Sequence, residues 1–100
     1  MASSPDIATL TVNDFEPHLD AVFEVARPDG MVPLRLAKTE SAGQARREGG
    51  AFSLLFVAPA GRWLPQAIYP VRHPALGTME IFLVPVGPVS GGNGYHAVFT

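Results

Sequence analysis

Ala51-Phe52-Ser53-Leu54-Leu55-Phe56-Val57-Ala58 is apolar on nearly both faces of an extended chain, the pattern of a strand in the middle of a sheet rather than at its border. The chain leaves it through Pro59-Ala60-Gly61-Arg62, a turn. Downstream the same alternation of short strand and Gly/Pro break repeats. Gln66 to Arg72 sets Ile68 and Pro70 on one side and Tyr69 and Val71 on the other. Pro70 has no N–H to donate, which places it at an edge or a bulge. His73-Pro74-Ala75-Leu76-Gly77 turns into a strand over Thr78 to Val86, Ser90-Gly91-Gly92-Asn93-Gly94 turns again, and Tyr95 to Thr100 closes the chain.

Upstream, Thr9-Leu10-Thr11-Val12 alternates polar and apolar as a half-buried strand does. Asn13 or Asp14 can cap one short helical turn that drops Phe15 inward, and Pro17 keeps that turn short. Asp20 to Val25 places Ala21, Phe23 and Val25 on one face; Arg27-Pro28-Asp29-Gly30 is a turn in which Gly30 takes a positive φ; 31–38 returns as a hairpin strand carrying Val32, Leu34 and Leu36. Residues 39–50 are polar and small, and read as a long surface loop. The expectation is an all-β fold: a small antiparallel sandwich or barrel of six to seven strands with at most one short helical turn. One β domain spans 9–100, and residues 1–8 are an N-terminal extension, a candidate inter-subunit arm.

The 100 residues are 47% hydrophobic and 16% charged, so the chain has the apolar content to fold and not the charge of a disordered one. A net charge of -2 gives no electrostatic basis for binding nucleic acid or an anionic membrane. The absence of Cys removes disulfides, thiolate metal sites and Cys nucleophiles from consideration. No apolar run approaches the roughly 18 residues of a membrane helix. The N-terminus lacks the charged and apolar regions of a secretory signal, so the expected location is cytoplasmic, with release as part of an extracellular assembly left open.

No catalytic constellation is visible. His18, His73 and His96 show no metal-ligand spacing, and no HExxH pattern exists. Ser53 lacks the second Gly of a nucleophile elbow. The carboxylates are scattered, and Gly91-Gly92-Asn93-Gly94 has no phosphate-loop lysine, so it reads as a flexible hairpin tip. The expectation is therefore no enzyme, no cofactor and no metal. Candidate contact residues are the charged knot Arg46-Arg47-Glu48, followed by Gly49-Gly50, together with Trp63 and Tyr69. The arginines could hold a carboxylate, a phosphate or an acidic patch on another subunit, or could be a solvated loop neutralised by Glu48. Trp63 could anchor an interface or fold back to plug one end of a barrel. Strands 51–58 and 79–86 are apolar on both faces, and a small sandwich covers only one, so a loop, the N-terminal segment or another subunit must cover the other.

The chain also resembles a family of short bacterial all-β domains of unknown function. The likeness rests on Arg47-Glu48-Gly49-Gly50-Ala51-Phe52-Ser53-Leu54-Leu55-Phe56, on Leu64-Pro65-Gln66 with Tyr69, on His73-Pro74 with Leu76-Gly77, on Phe82-Leu83-Val84-Pro85-Val86-Gly87-Pro88, and on Tyr95-His96-Ala97-Val98-Phe99. It runs from about Leu10 onward. It implies a compact β protein without assigned catalytic residues, and a link to phage-tail-collar-like proteins that suits an assembly component. The expected function is a structural or interaction module that self-associates into an oligomer or filament, or docks on a larger fibre-like structural protein. The alternative is a monomeric binding domain for a small or polymeric ligand, using Trp63, Tyr69 and the Arg46/Arg47 loop.

Overall fold

Six strands form in the computed structural model, which describes residues 10–28, 30–41, 51–61 and 63–99. They are β1 (Val22–Arg27), β2 (Gly30–Ser41), β3 (Phe52–Pro59), β4 (Ala67–His73), β5 (Gly77–Val89) and β6 (Gly92–Phe99). A one-turn helix α1 (Val12–Phe15) and a single 3-10 turn (Glu16–His18) precede them. The strands close into a barrel in the order β1-β2-β3-β6-β5-β4, every neighbour antiparallel. Hairpins join β4, β5 and β6, while β3 lies beside β6 and reaches β4 by crossing the end of the barrel, a Greek-key arrangement.

The period of two in the strands explains the core. Phe52, Leu54, Phe56 and Ala58 of β3 point inward, as do Met79, Ile81 and Leu83 of β5 and Tyr95, Ala97 and Phe99 of β6. Phe23, Val25, Leu34, Leu36, Tyr69 and Val71 complete the interior. The seam between β1 and β4 is short, with Glu24 opposite Arg72 and Val25 opposite Val71. That ladder stops one residue before Pro70, where the missing N–H ends it. Pro70 thus occupies the edge-like position its chemistry requires.

Both ends of the barrel are closed from within the chain. At one end Phe15 is fully buried against Phe23, Phe52 and Phe99. At the other, Leu64 is buried and its N–H donates to the Tyr95 hydroxyl at 2.8 Å.

Three local expectations are corrected. Leu10 and Thr11 are not strand and Val12 opens α1; Thr11 is the N-cap, and Asp14 reaches back to accept its N–H at 2.7 Å. That local bond offers the backbone an alternative to a sheet ladder. Residues 39–41 are not loop, because Thr39, Glu40 and Ser41 pair with Leu54, Ser53 and Phe52. Glu40 and Ser41 are exposed and Thr39 is half-buried, at the far end of β2 beyond its last pairing with β1. Gly92, Asn93 and Gly94 are not a hairpin tip but the start of β6, and all three are buried. The turn is Ser90-Gly91 alone, with φ of 49° and 80°, the positive values that a two-residue hairpin turn favours at its centre.

Candidate functional site

The outer face of the sheet is where the two-faced apolar strands find only partial cover. On β3, Val57 points outward yet is only 9% exposed. Its cover is internal: Gly92 and Gly94 on neighbouring β6 have no side chains, and Val57 leans over Gly92 while Val86 and Val89 of β5 lean over Gly94. The bulge between Pro85 and Gly87, where Gly87 has φ of 111°, turns that half of β5 inward over the glycines.

Further along the same face the cover ends. Ile68 of β4 and Phe82 of β5 stand directly opposite each other in register and are 64% and 46% exposed. Cross-strand neighbours of this kind have Cβ atoms about 5 Å apart, so the two side chains form one apolar surface. Val98 on β6 and Val86 on β5 are also about half exposed. Next along the ladder, Pro70 opposes Glu80 and then Arg72 opposes Thr78, so an anion and then a cation border the apolar pair on one side. Among the described residues neither Arg72 nor Glu80 forms an ion pair; the pairs present are Arg35 with Asp20 and Lys38 with Glu40.

The residues singled out in the sequence are distributed differently. Tyr69 lies inside the barrel, its hydroxyl donating to the Pro65 carbonyl at 2.5 Å and its ring under the Arg27 guanidinium at 5.3 Å. Trp63 packs against Tyr95 with centroids 5.6 Å apart and the rings tilted by 60°, while remaining 37% exposed, so it caps the barrel end and still presents an edge to solvent. Arg46, Arg47 and Glu48, like the arm at residues 1–8, lie outside the described residues. Phe82 belonged to a strand read as apolar on both faces, but nothing in the sequence said that Ile68 would stand beside it.

The Leu64–Tyr95 bond is a buried polar bond at the Trp63 end, beside those from Tyr69 to the Pro65 carbonyl and from Asn93 to the Gly61 carbonyl. Tyr95→Phe removes the acceptor of the Leu64 N–H and should destabilise the fold by about 1–3 kcal/mol, the cost of an orphaned buried donor. Urea unfolding followed by the fluorescence of Trp63, the single Trp, would read the loss; unchanged stability would mean that the bond does not hold this end.

Among the described residues no group of three or more His, Asp or Glu side chains could hold a metal ion, and no helix is long and apolar enough to cross a membrane. His18 and His73 do meet, with ring centroids 4.3 Å apart. No curated protein and no solved structure matches the chain. The model of one family does match, over residues 10–99, from the lead-in to α1 to the last residue of β6. The barrel, its helical plug and its exposed Ile68–Phe82 face all fall within that span, and the chain belongs to the family described as Domain of unknown function (DUF6916).

Proposed function

We propose that this barrel is a non-enzymatic interaction module that associates with further copies of itself through the outer face of β4 and β5. The observation that carries the reading is the in-register pair Ile68 and Phe82, held side by side on a rigid sheet and left to solvent. Aromatic and aliphatic side chains in contact at the centre of a patch, with charge at its margin, match the anatomy of protein interfaces. The margin favours a second copy as the occupant. A two-fold contact presents the same surface twice, and a face bearing both Arg72 and Glu80 can set each cation against the partner's anion. A two-fold contact through this face closes at the dimer, and a larger oligomer, a filament or a collar on a fibre needs a second, heterologous contact elsewhere on the barrel.

Light scattering after gel filtration tests the reading at millimolar concentration. The parent chain should show a multiple of 10.6 kDa, and Ile68→Lys with Phe82→Glu, opposite charges across the ladder, should return it to the monomer mass. Exposed substitutions of this type change stability by within about 0.5 kcal/mol, so the thermal midpoint should hold. A parent that stays monomeric, or a double variant that keeps the parent's mass, would remove the proposal.

A further inference from the structure

His18 ends the 3-10 turn, and His73 ends β4. Their rings touch, 4.3 Å between centroids and tilted by 58°. The His73 ring also lies 4.6 Å from that of Phe23, a fully buried core residue. Its Nδ1 accepts a hydrogen bond from the Ala75 N–H at 3.0 Å, within the turn that joins β4 to β5. A nitrogen that accepts carries no proton, so this ring is neutral with its hydrogen on Nε2. Adding the second proton costs the Ala75 bond and turns N–H toward N–H.

The surrounding groups decide whether that proton is welcome. Arg72 of β4 and Glu24 of β1 line the same shallow cleft of about 270 Å³ as His73, with Thr78 of β5 supplying a neutral hydroxyl. Arg72 opposes an imidazolium; Glu24 favours one, but it is exposed and lies directly across the ladder from Arg72. Glu16 shares the 3-10 turn with His18 and is exposed, and Asp20 just beyond is held by Arg35 at 3.2 Å. Burial, first, and the neighbouring His18, second, hold His73 below the ordinary histidine range.

We propose that His18 and His73 form an acid-released latch: the neutral ring pair pins the 3-10 turn to the β4–β5 turn, and protonation of His73 breaks the Ala75 bond and frees both segments. The sign follows from linkage. Because the folded-state value is depressed, the latched form is fully stable above about pH 6.5, where both open and latched histidine are neutral. Below that the open form takes up the proton first, so the latch weakens as pH falls toward the folded-state value.

An NMR titration of the full chain from about pH 8 to about pH 5 tests this. The His73 ring should titrate below a free histidine, and the Ala75 amide should move with the same midpoint. Corrected for intrinsic exchange, protection of the Leu19 amide, bonded to the Glu16 carbonyl, and of the Ala75 amide, bonded to His73 Nδ1, should fall by at most roughly tenfold per pH unit between about 6.5 and the His73 midpoint, then level off. His73→Phe keeps a ring in contact but cannot titrate, and should abolish the acid response. His18→Gln, should His73→Phe not fold, removes the neighbouring imidazole that lowers His73 and should move the His73 midpoint up. The latch is overturned if His73 titrates as a free histidine with Ala75 unmoved, if protection is flat across the range, if the response persists in His73→Phe, or if His18→Gln leaves the midpoint in place.

Discussion

Phe15→Ala is expected to lower stability by about 3–5 kcal/mol, the range for truncating a fully buried aromatic. Phe15 is the one buried side chain of α1, and a helix of four residues has no stability of its own. What keeps it in place is the ring, wedged among Phe23, Phe52 and Phe99 at 6.4, 5.7 and 5.9 Å between centroids. Truncation therefore costs more than a cavity, because the segment that would have to collapse into the space has lost its largest anchor, leaving Leu10 and Val12 to hold it. The Phe52–Phe99 stack, 4.5 Å apart and nearly parallel, then faces water at the open end. Against a total of about 5–15 kcal/mol for a domain, such a loss leaves the barrel marginal. Urea unfolding monitored by Trp63 fluorescence and by far-ultraviolet circular dichroism would measure it. Asn13→Ala, exposed on the same helix, should shift stability by under about 0.5 kcal/mol. If Phe15→Ala did no more than Asn13→Ala, α1 would be an ornament on the barrel and not its plug.

Strand content was legible in this chain because strands announce themselves locally. Phe52, Leu54 and Phe56 are apolar at a period of two, and Gly30 and Gly77 take the positive φ their turns need, 136° and 83°. Errors arose where a polar residue had two readings. Thr39 to Ser41 pair in a ladder at a strand end where Glu40 and Ser41 reach solvent and Thr39 is half-buried, yet polarity alone also describes a loop. Thr11 looked like an alternating strand residue because its role, receiving Asp14 at an N-cap, depends on a bond and not on periodicity. The exposed face was half legible. The sequence showed that β3 and β5 carry apolar residues on both sides, but which of them stay bare is set by register and by the course of β5 over the glycines. That Val57 is covered while Phe82 is not is a property of the closed barrel. The same holds for His18 and His73, distant in the chain and joined where the 3-10 turn meets the end of β4.

Gly92→Ala should be the second most damaging single change, at about 3 kcal/mol, the upper end of the cost of overpacking. Gly92 is buried at the start of β6, opposite Pro59 on one side and Val89 on the other. A Cβ there would run into the Ala58 carbonyl oxygen and lie 2.7 Å from Val57 Cγ1. Val57 could rotate, but the carbonyl belongs to the adjacent strand and moves only if β3 and β6 separate. Separation would unseat Val57 from its cover and shift the β5 segment that carries Val86 and Val89, so the outer face would lose the shape on which association is proposed to depend. Gly91→Ala supplies the control one residue away. Gly91 has a φ of 80° and open space where its Cβ would go, so its cost is that of a left-handed backbone alone, about 1–2 kcal/mol. A larger loss for Gly92→Ala than for Gly91→Ala in thermal and urea unfolding would establish close packing as the reason for the glycine. Equal losses would instead make both glycines matters of backbone conformation, and the covering of Val57 would need another cause.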